Sequence, residues 1–172
     1  MFSIKKIFYK QKKWTNENGT ICFTVSSKGK TGSYWSKYYK KSSTQAHEIL
    51  NSIFFKPYNK RIYNVQIIQG DFLNNGLSTI SQVKEEGLRK GLVLPPLELA
   101  CIIRKNFSQD ELAQMGLMWV ITMHEPVDTQ DFGPRVLYSC RECGGPIHAC
   151  SSSSNEVWGK GAGFAFLEEG SI

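Results

Sequence analysis

The sequence predicts an α+β fold, a mainly antiparallel sheet with three to four helices in the middle of the chain. Three observations carry this. Residues 20–26 alternate apolar and polar at strand period. Two Ser-x-x-Gln/Glu capping boxes, at Ser42–Gln45 and Ser108–Glu111, open segments with helical patterning. The run Leu117–Met123, LMWVITM, is β-branched and too short for a buried helix, so it reads as a central strand.

Taken in order, Asn16-Glu17-Asn18-Gly19 is a turn, and Thr20–Ser26 a strand with Ile21, Phe23 and Val25 on its inner face. Lys28–Gly32 is a second turn, after which Ser33–Tyr39 is expected to return as a strand, with Trp35, Lys37, Tyr39 and Lys41 on one face. The helix opened at Ser42 runs to about Phe54, presents Ala46, Ile49, Leu50 and Ile53 as a stripe, and is ended by Pro57. Ile62–Ile68 is a strand and Gly70–Gly76 a loop. Ser78–Gly91 is a helix through Ile80, Val83 and Leu88, with Gly87 a weak point and Gly91 the stop. Pro95-Pro96 fits the first turn of a helix whose apolar residues, Leu97 to Ile103, go nearly all round, so this helix is the buried one. Arg135–Arg141, Ile147–Ser151 and Gly163–Leu167 are three further short strands, with Gly144-Gly145 as a hairpin turn.

At 172 residues and 41% hydrophobic the chain can bury one ordinary core. We read residues 1–172 as a single domain, with a possible sub-division into a basic ββαβ unit over 1–70 and an acidic α+β unit over 71–172. No apolar stretch approaches the roughly 20 residues of a membrane span, and residues 1–13 lack the apolar core and cleavage site of a secretory signal. Cytoplasmic residence is the resulting expectation, and five cysteines, an odd number, suit reduced thiols better than a disulfide framework.

Charge is distributed unevenly. The first 63 residues hold 13 Lys or Arg against two acids, Glu17 and Glu48, interleaved with 13 aromatics. The remaining 109 hold 8 basic and 13 acidic residues, so the segments carry about +11 and −5. Codon bias toward Lys, Phe and Tyr would enrich the whole chain, so it does not account for this one-sidedness. Cations displace condensed counterions from a polyanion while rings take up unstacked bases. The expected interface is therefore Trp35 and Tyr39 for stacking, with Lys37, Lys40, Lys41, Lys56, Lys60 and Arg61 on phosphates. A basic face also suits an acidic protein partner, so an interaction module or inhibitor is the competing expectation.

Candidate chemistry is sparse. Cys140-x-x-Cys143-Gly has the spacing of a zinc knuckle, and His148 and Cys150 would complete four ligands, making structural zinc the one cofactor worth testing. Against it, a hairpin at Gly144-Gly145 puts Cys143, His148 and Cys150 on one face and Cys140 on the other, which favours reduced hairpin thiols and no cofactor. His47-Glu48 and His124-Glu125 do not extend to H-E-x-x-H. His124 ends the central strand and, with Glu125, Asp128 and Asp131, is the candidate acid–base or cation site. Gly159–Gly163 lacks phosphate-loop spacing. The expectation is a small non-enzymatic protein that binds nucleic acid.

Overall fold

The computed structural model describes residues 13–73, 78–153 and 155–171. Eight strands among these form one mixed, mostly antiparallel sheet: β1 (Thr15–Glu17), β2 (Thr20–Lys28), β3 (Asn59–Gln69), β4 (Trp119–Thr122), β5 (Val127–Thr129), β6 (Gly133–Cys140), β7 (Ile147–Ser151) and β8 (Ala162–Leu167). The helices are α1 (Gly32–Tyr38), α2 (Thr44–Leu50), α3 (Ile80–Arg89), α4 (Glu98–Asn106) and α5 (Gln109–Gln114), with a 3₁₀ turn at Gly70–Phe72. Most of the basic leader, residues 1–12, and part of the loop expected over Gly70–Gly76 lie outside the described residues.

The chain crosses the sheet in the order β1-β2-β3-β8-β4-β6, with β5 beside β4 on one edge of β6 and β7 on its other edge. β8 pairs antiparallel with β3 and parallel with β4. Strands from both ends of the sequence thus share one ladder, and all six β8 residues are buried. Their alternation sorts the two cores. Ala165 and Leu167 join Ile21, Phe23, Val25, Val65 and Ile67 on a face that meets buried residues of α1, α2, α4 and α5. Phe164 and Phe166 face the other way, onto Ile80 and Val83 of α3.

The helices form where caps and patterning direct. Ser108 and Glu111 satisfy each other's backbone N–H groups at the start of α5, and Thr79 with Gln82 do the same for α3. α4 buries Leu99, Ala100, Cys101, Ile102 and Ile103 as expected. It also buries Glu98, whose Oε1 accepts a 2.6 Å bond from the Tyr63 hydroxyl, while burial pushes that carboxyl above its usual range.

Two helical expectations need correction. Ser43, not Ser42, caps α2 through a bond from the Ala46 N–H. The helix then stops at Leu50, short of Phe54, so Ile53 is 89% exposed instead of completing the stripe. β1 and β5, three residues each, were too short to stand out in the sequence.

Gly87 is no weak point, because it lets α3 rest directly on the Phe166 ring, where an added Cβ would clash. An exposed helical Gly→Ala change adds about 1 kcal/mol of stability. Gly87→Ala is expected to reverse that sign, lowering stability by about 1–3 kcal/mol through overpacking. Urea unfolding of the two proteins checks it, and a raised midpoint would contradict the close contact.

Candidate nucleic-acid interface

Ser33–Tyr39, expected as a strand, is helix α1. Thr31 caps it by accepting the Tyr34 N–H at 3.2 Å. Its rings then meet at helical spacing: Tyr34 stacks on Tyr38 (5.9 Å, 19°) and Trp35 on Tyr39 (5.8 Å, 10°). Gly32 allows the helix to start against the Leu50 carbonyl, a position any Cβ would obstruct.

The helix redistributes the residues assigned to one strand face. Trp35 (3% exposed) and Tyr39 (7%) turn into the core, so neither ring presents an open face for stacking. The Tyr39 hydroxyl donates to the Cys101 carbonyl at 3.0 Å, and burial pushes its pKa far above the normal phenol value. The other pair faces outward: Tyr38 is 53% exposed and Tyr34 is half-buried. Lys37, Lys40 and Lys41 are exposed on and just beyond α1.

Around these rings the structure gathers lysines that the sequence keeps apart. Lys30 Nζ lies 4.7 Å from the centre of the Tyr34 ring. Lys105, from the last turn of α4, lies 5.1 Å from Tyr38, 5.5 Å from Trp35 and 5.9 Å from Tyr34. Lys28, Lys30 and Lys105 line a cavity of about 220 Å³ with Ser26, Trp35, Ile102 and Asn106. The remaining expected cations approach the same end of the sheet, since Gly29 N–H bonds the Tyr58 carbonyl (2.8 Å) and Arg61 N–H bonds Ser27 Oγ (3.0 Å). Lys56 and Lys60 are exposed there, and Arg61 stacks on Tyr58 at 4.0 Å. Among the described residues, no carboxylate forms an ion pair with any of these cations.

Lys28, Lys30, Tyr34, Tyr38 and Lys105 are the residues that sequence reasoning missed. The four-residue spacing of Tyr34/Tyr38 and Trp35/Tyr39, together with Thr31 as a cap, was the available signal for the helix. Nothing local could have linked Lys105 to it.

The four candidate metal ligands do not converge. Cys140 and Cys143 form a disulfide, with Cα atoms 5.5 Å apart, instead of the reduced thiols expected. A three-residue separation across a tight loop puts the two sulfurs in bonding reach whichever face each strand position would give. His148 stacks on Tyr138 (5.3 Å), with its Nε2 3.0 Å from the Gly145 carbonyl. Cys150 is buried, its Sγ pointing to the Val136 carbonyl, and burial pushes its thiol up to about 12. Among the described residues no group of three potential ligands is assembled.

His124 is corrected from candidate acid–base residue to part of the sheet. β4 ends at Thr122 and β5 begins at Val127, leaving a gap along the same edge of β6. The imidazole fills it: Nε2 accepts the Leu137 N–H at 2.8 Å, and Nδ1–H donates to the Glu125 carbonyl at 2.7 Å. Both nitrogens are committed to main-chain groups. Glu125 turns away to Lys84 (3.0 Å), and Asp128 and Asp131 are exposed. His47 is likewise occupied, with Nδ1 2.7 Å from Ser36 Oγ.

No protein-family model matches this chain, and no curated protein or solved structure shows significant similarity to it.

Burial lowers the His124 pKa from 6.5 to about 4, since the charged ring has no water and would lose its acceptor role. The unfolded chain therefore binds the proton more readily. The stability this ring contributes is complete above pH 6.5 and drains as pH falls toward 4, by on the order of 3 kcal/mol. Buried Glu98 acts in the opposite sense, its raised pKa favouring the folded state at low pH. Comparing His124→Gln with the parent isolates the histidine: the parent should lose urea resistance between pH 6.5 and 4 more steeply than the variant. Equal slopes would exclude a neutral, buried ring.

Proposed function

We propose that this protein binds single-stranded nucleic acid without catalysing a reaction on it, through the α1 surface. The observation that carries this reading is the Lys105 ammonium seated over Tyr34, Trp35 and Tyr38, with Lys30 over Tyr34. Rings and cations without a carboxylate partner among the described residues sit side by side there, so bases can meet ring faces and phosphates ammonium groups. Tyr38 offers the stacking face, Tyr34 supports it, and Lys30, Lys37 and Lys105 are the nearest phosphate contacts. Lys40, Lys41, Lys56, Lys60 and Arg61 extend the basic surface, while Trp35 and Tyr39 hold the helix in place. A single strand fits better than a duplex because stacking on Tyr38 requires an unstacked base. No helix among the described residues is long and apolar enough to cross a membrane.

One observation favours a second reading, docking on an acidic protein surface. Ile53 (89% exposed) and Phe54 (60%) stand beside Lys56, an apolar anchor with a charged neighbour of the kind interfaces use.

Oligonucleotide titration at two salt concentrations separates the two. On the first reading affinity falls steeply with salt, Tyr38→Ala weakens binding by about 1–2 kcal/mol, and Lys105→Ala reduces the salt slope by about 0.7. Paired serine substitutions at Ile53 and Phe54 leave it intact. Affinity indifferent to salt and to Tyr38 defeats the nucleic-acid reading.

A further inference from the structure

The cavity between β2, α1 and α4 shares Lys30 and Lys105 with the stacking surface and adds Lys28, which that surface does not use. Lys28, Lys30 and Lys105 line it together, with Ser26 and Asn106 at its wall and Trp35 among its lining residues. Trp35 is 97% buried, and its indole N–H has no acceptor among the described residues. A buried donor left without a partner costs on the order of 1–3 kcal/mol. Three ammonium groups around one small cavity, with no carboxylate paired to them among the described residues, repel one another. The repulsion has a direct remedy, an anion with several acceptor oxygens.

We propose that this cavity seats a terminal phosphate, the phosphomonoester end of a nucleic-acid strand. At about 220 Å³ it is smaller than the roughly 300–1,000 Å³ of sites that enclose drug-sized ligands, so it takes a compact group and leaves the attached nucleoside outside. A phosphomonoester brings nearly two negative charges and three free oxygens, against one charge and two free oxygens for an internal diester. Three lysines match the former. The attached base then lies toward Tyr34 and Tyr38, whose rings carry the same Lys30 and Lys105.

One local feature opposes an anion, because the last turn of α4 is the negative end of that helix. Three carbonyls near that end are already engaged. Asn106 Nδ2 donates to the Ile102 carbonyl (2.8 Å), Phe107 N–H to the Ile103 carbonyl (3.1 Å), and Lys13 Nζ to the Asn106 carbonyl (3.1 Å).

This inference rests on the single-strand reading for what carries the phosphate, though not for the cavity itself. The test titrates the full chain with decathymidylate bearing either a 5′-phosphate or a 5′-hydroxyl, and in parallel follows the indole N–H resonances with inorganic phosphate against chloride at equal ionic strength. The phosphorylated strand should bind about tenfold more tightly, the scale of one charge-assisted bond or more. Lys28→Gln should bring that ratio toward one. Inorganic phosphate should move one indole resonance, the one missing from Trp35→Phe. Equal affinity of the two strands overturns the terminal-phosphate seat and leaves the single-strand reading standing. If neither strand binds, that reading fails. The phosphate-induced shift of the Trp35 resonance then decides the cavity alone, and no shift overturns it.

Discussion

Every layer of this protein is referred to β8. Ala162–Leu167 is buried along its whole length and holds strands from the two parts of the chain on opposite edges, β3 antiparallel and β4 parallel. Buried on both faces, it cannot use the polar alternation of an edge strand, and AGFAFL has none. Small residues there let the flanking side chains approach: Gly163 lies against Ile67 and Leu117. The phenylalanines on the other face set how closely α3 can dock. Displacing this strand would break both ladders at once, so the basic β2–β3 end and the β4–β6 end are held to one geometry.

That geometry is what assembles the α1 surface. β2 ends at Lys28 and the turn after it carries Lys30, α4 delivers Lys105, and the Tyr39–Cys101 bond ties α1 to the middle of α4. The rings that sequence reasoning assigned to ligand stacking became the anchor, and Tyr34 and Tyr38, which it left out, became the outward pair. Moving Trp35 and Tyr39 inward makes the outward pair rigid, because each tyrosine of that pair contacts the buried tryptophan edge-on (5.2 Å and 6.0 Å).

The parts of the fold that were legible are those specified by neighbours in sequence. Strand alternation in β2, the capping box of α5, the apolar circumference of α4 and the β-branched run of β4 each depend on residues a few positions apart. α1 was misread because its aromatic residues favour strands by type, while they fall in pairs, Tyr34-Trp35 and Tyr38-Tyr39, whose i,i+4 spacing is helical once Thr31 is seen as a cap. α2 was read too long because Ile53 continues the stripe, although Asn51 already closes the helix. His124 could not have been read locally, since its role exists only where β4 and β5 leave a gap beside Leu137. Charge asymmetry located the basic end of the molecule but not Lys105, which comes from the acidic part of the chain.

The lysines of the α1 surface are positioned by aromatic rings instead of carboxylates. A carboxylate would hold an ammonium by occupying the side that an incoming anion needs, and binding would begin with an exchange of partners. A ring attracts through its π-face and accepts no strong hydrogen bond, so the N–H groups turned away from it stay unoccupied. The cation is oriented in advance, with no competitor to displace. Arrival of an anion then completes a sandwich of ring, ammonium and ligand, and the rate of capture is set by diffusion and steering, not by the opening of an internal ion pair.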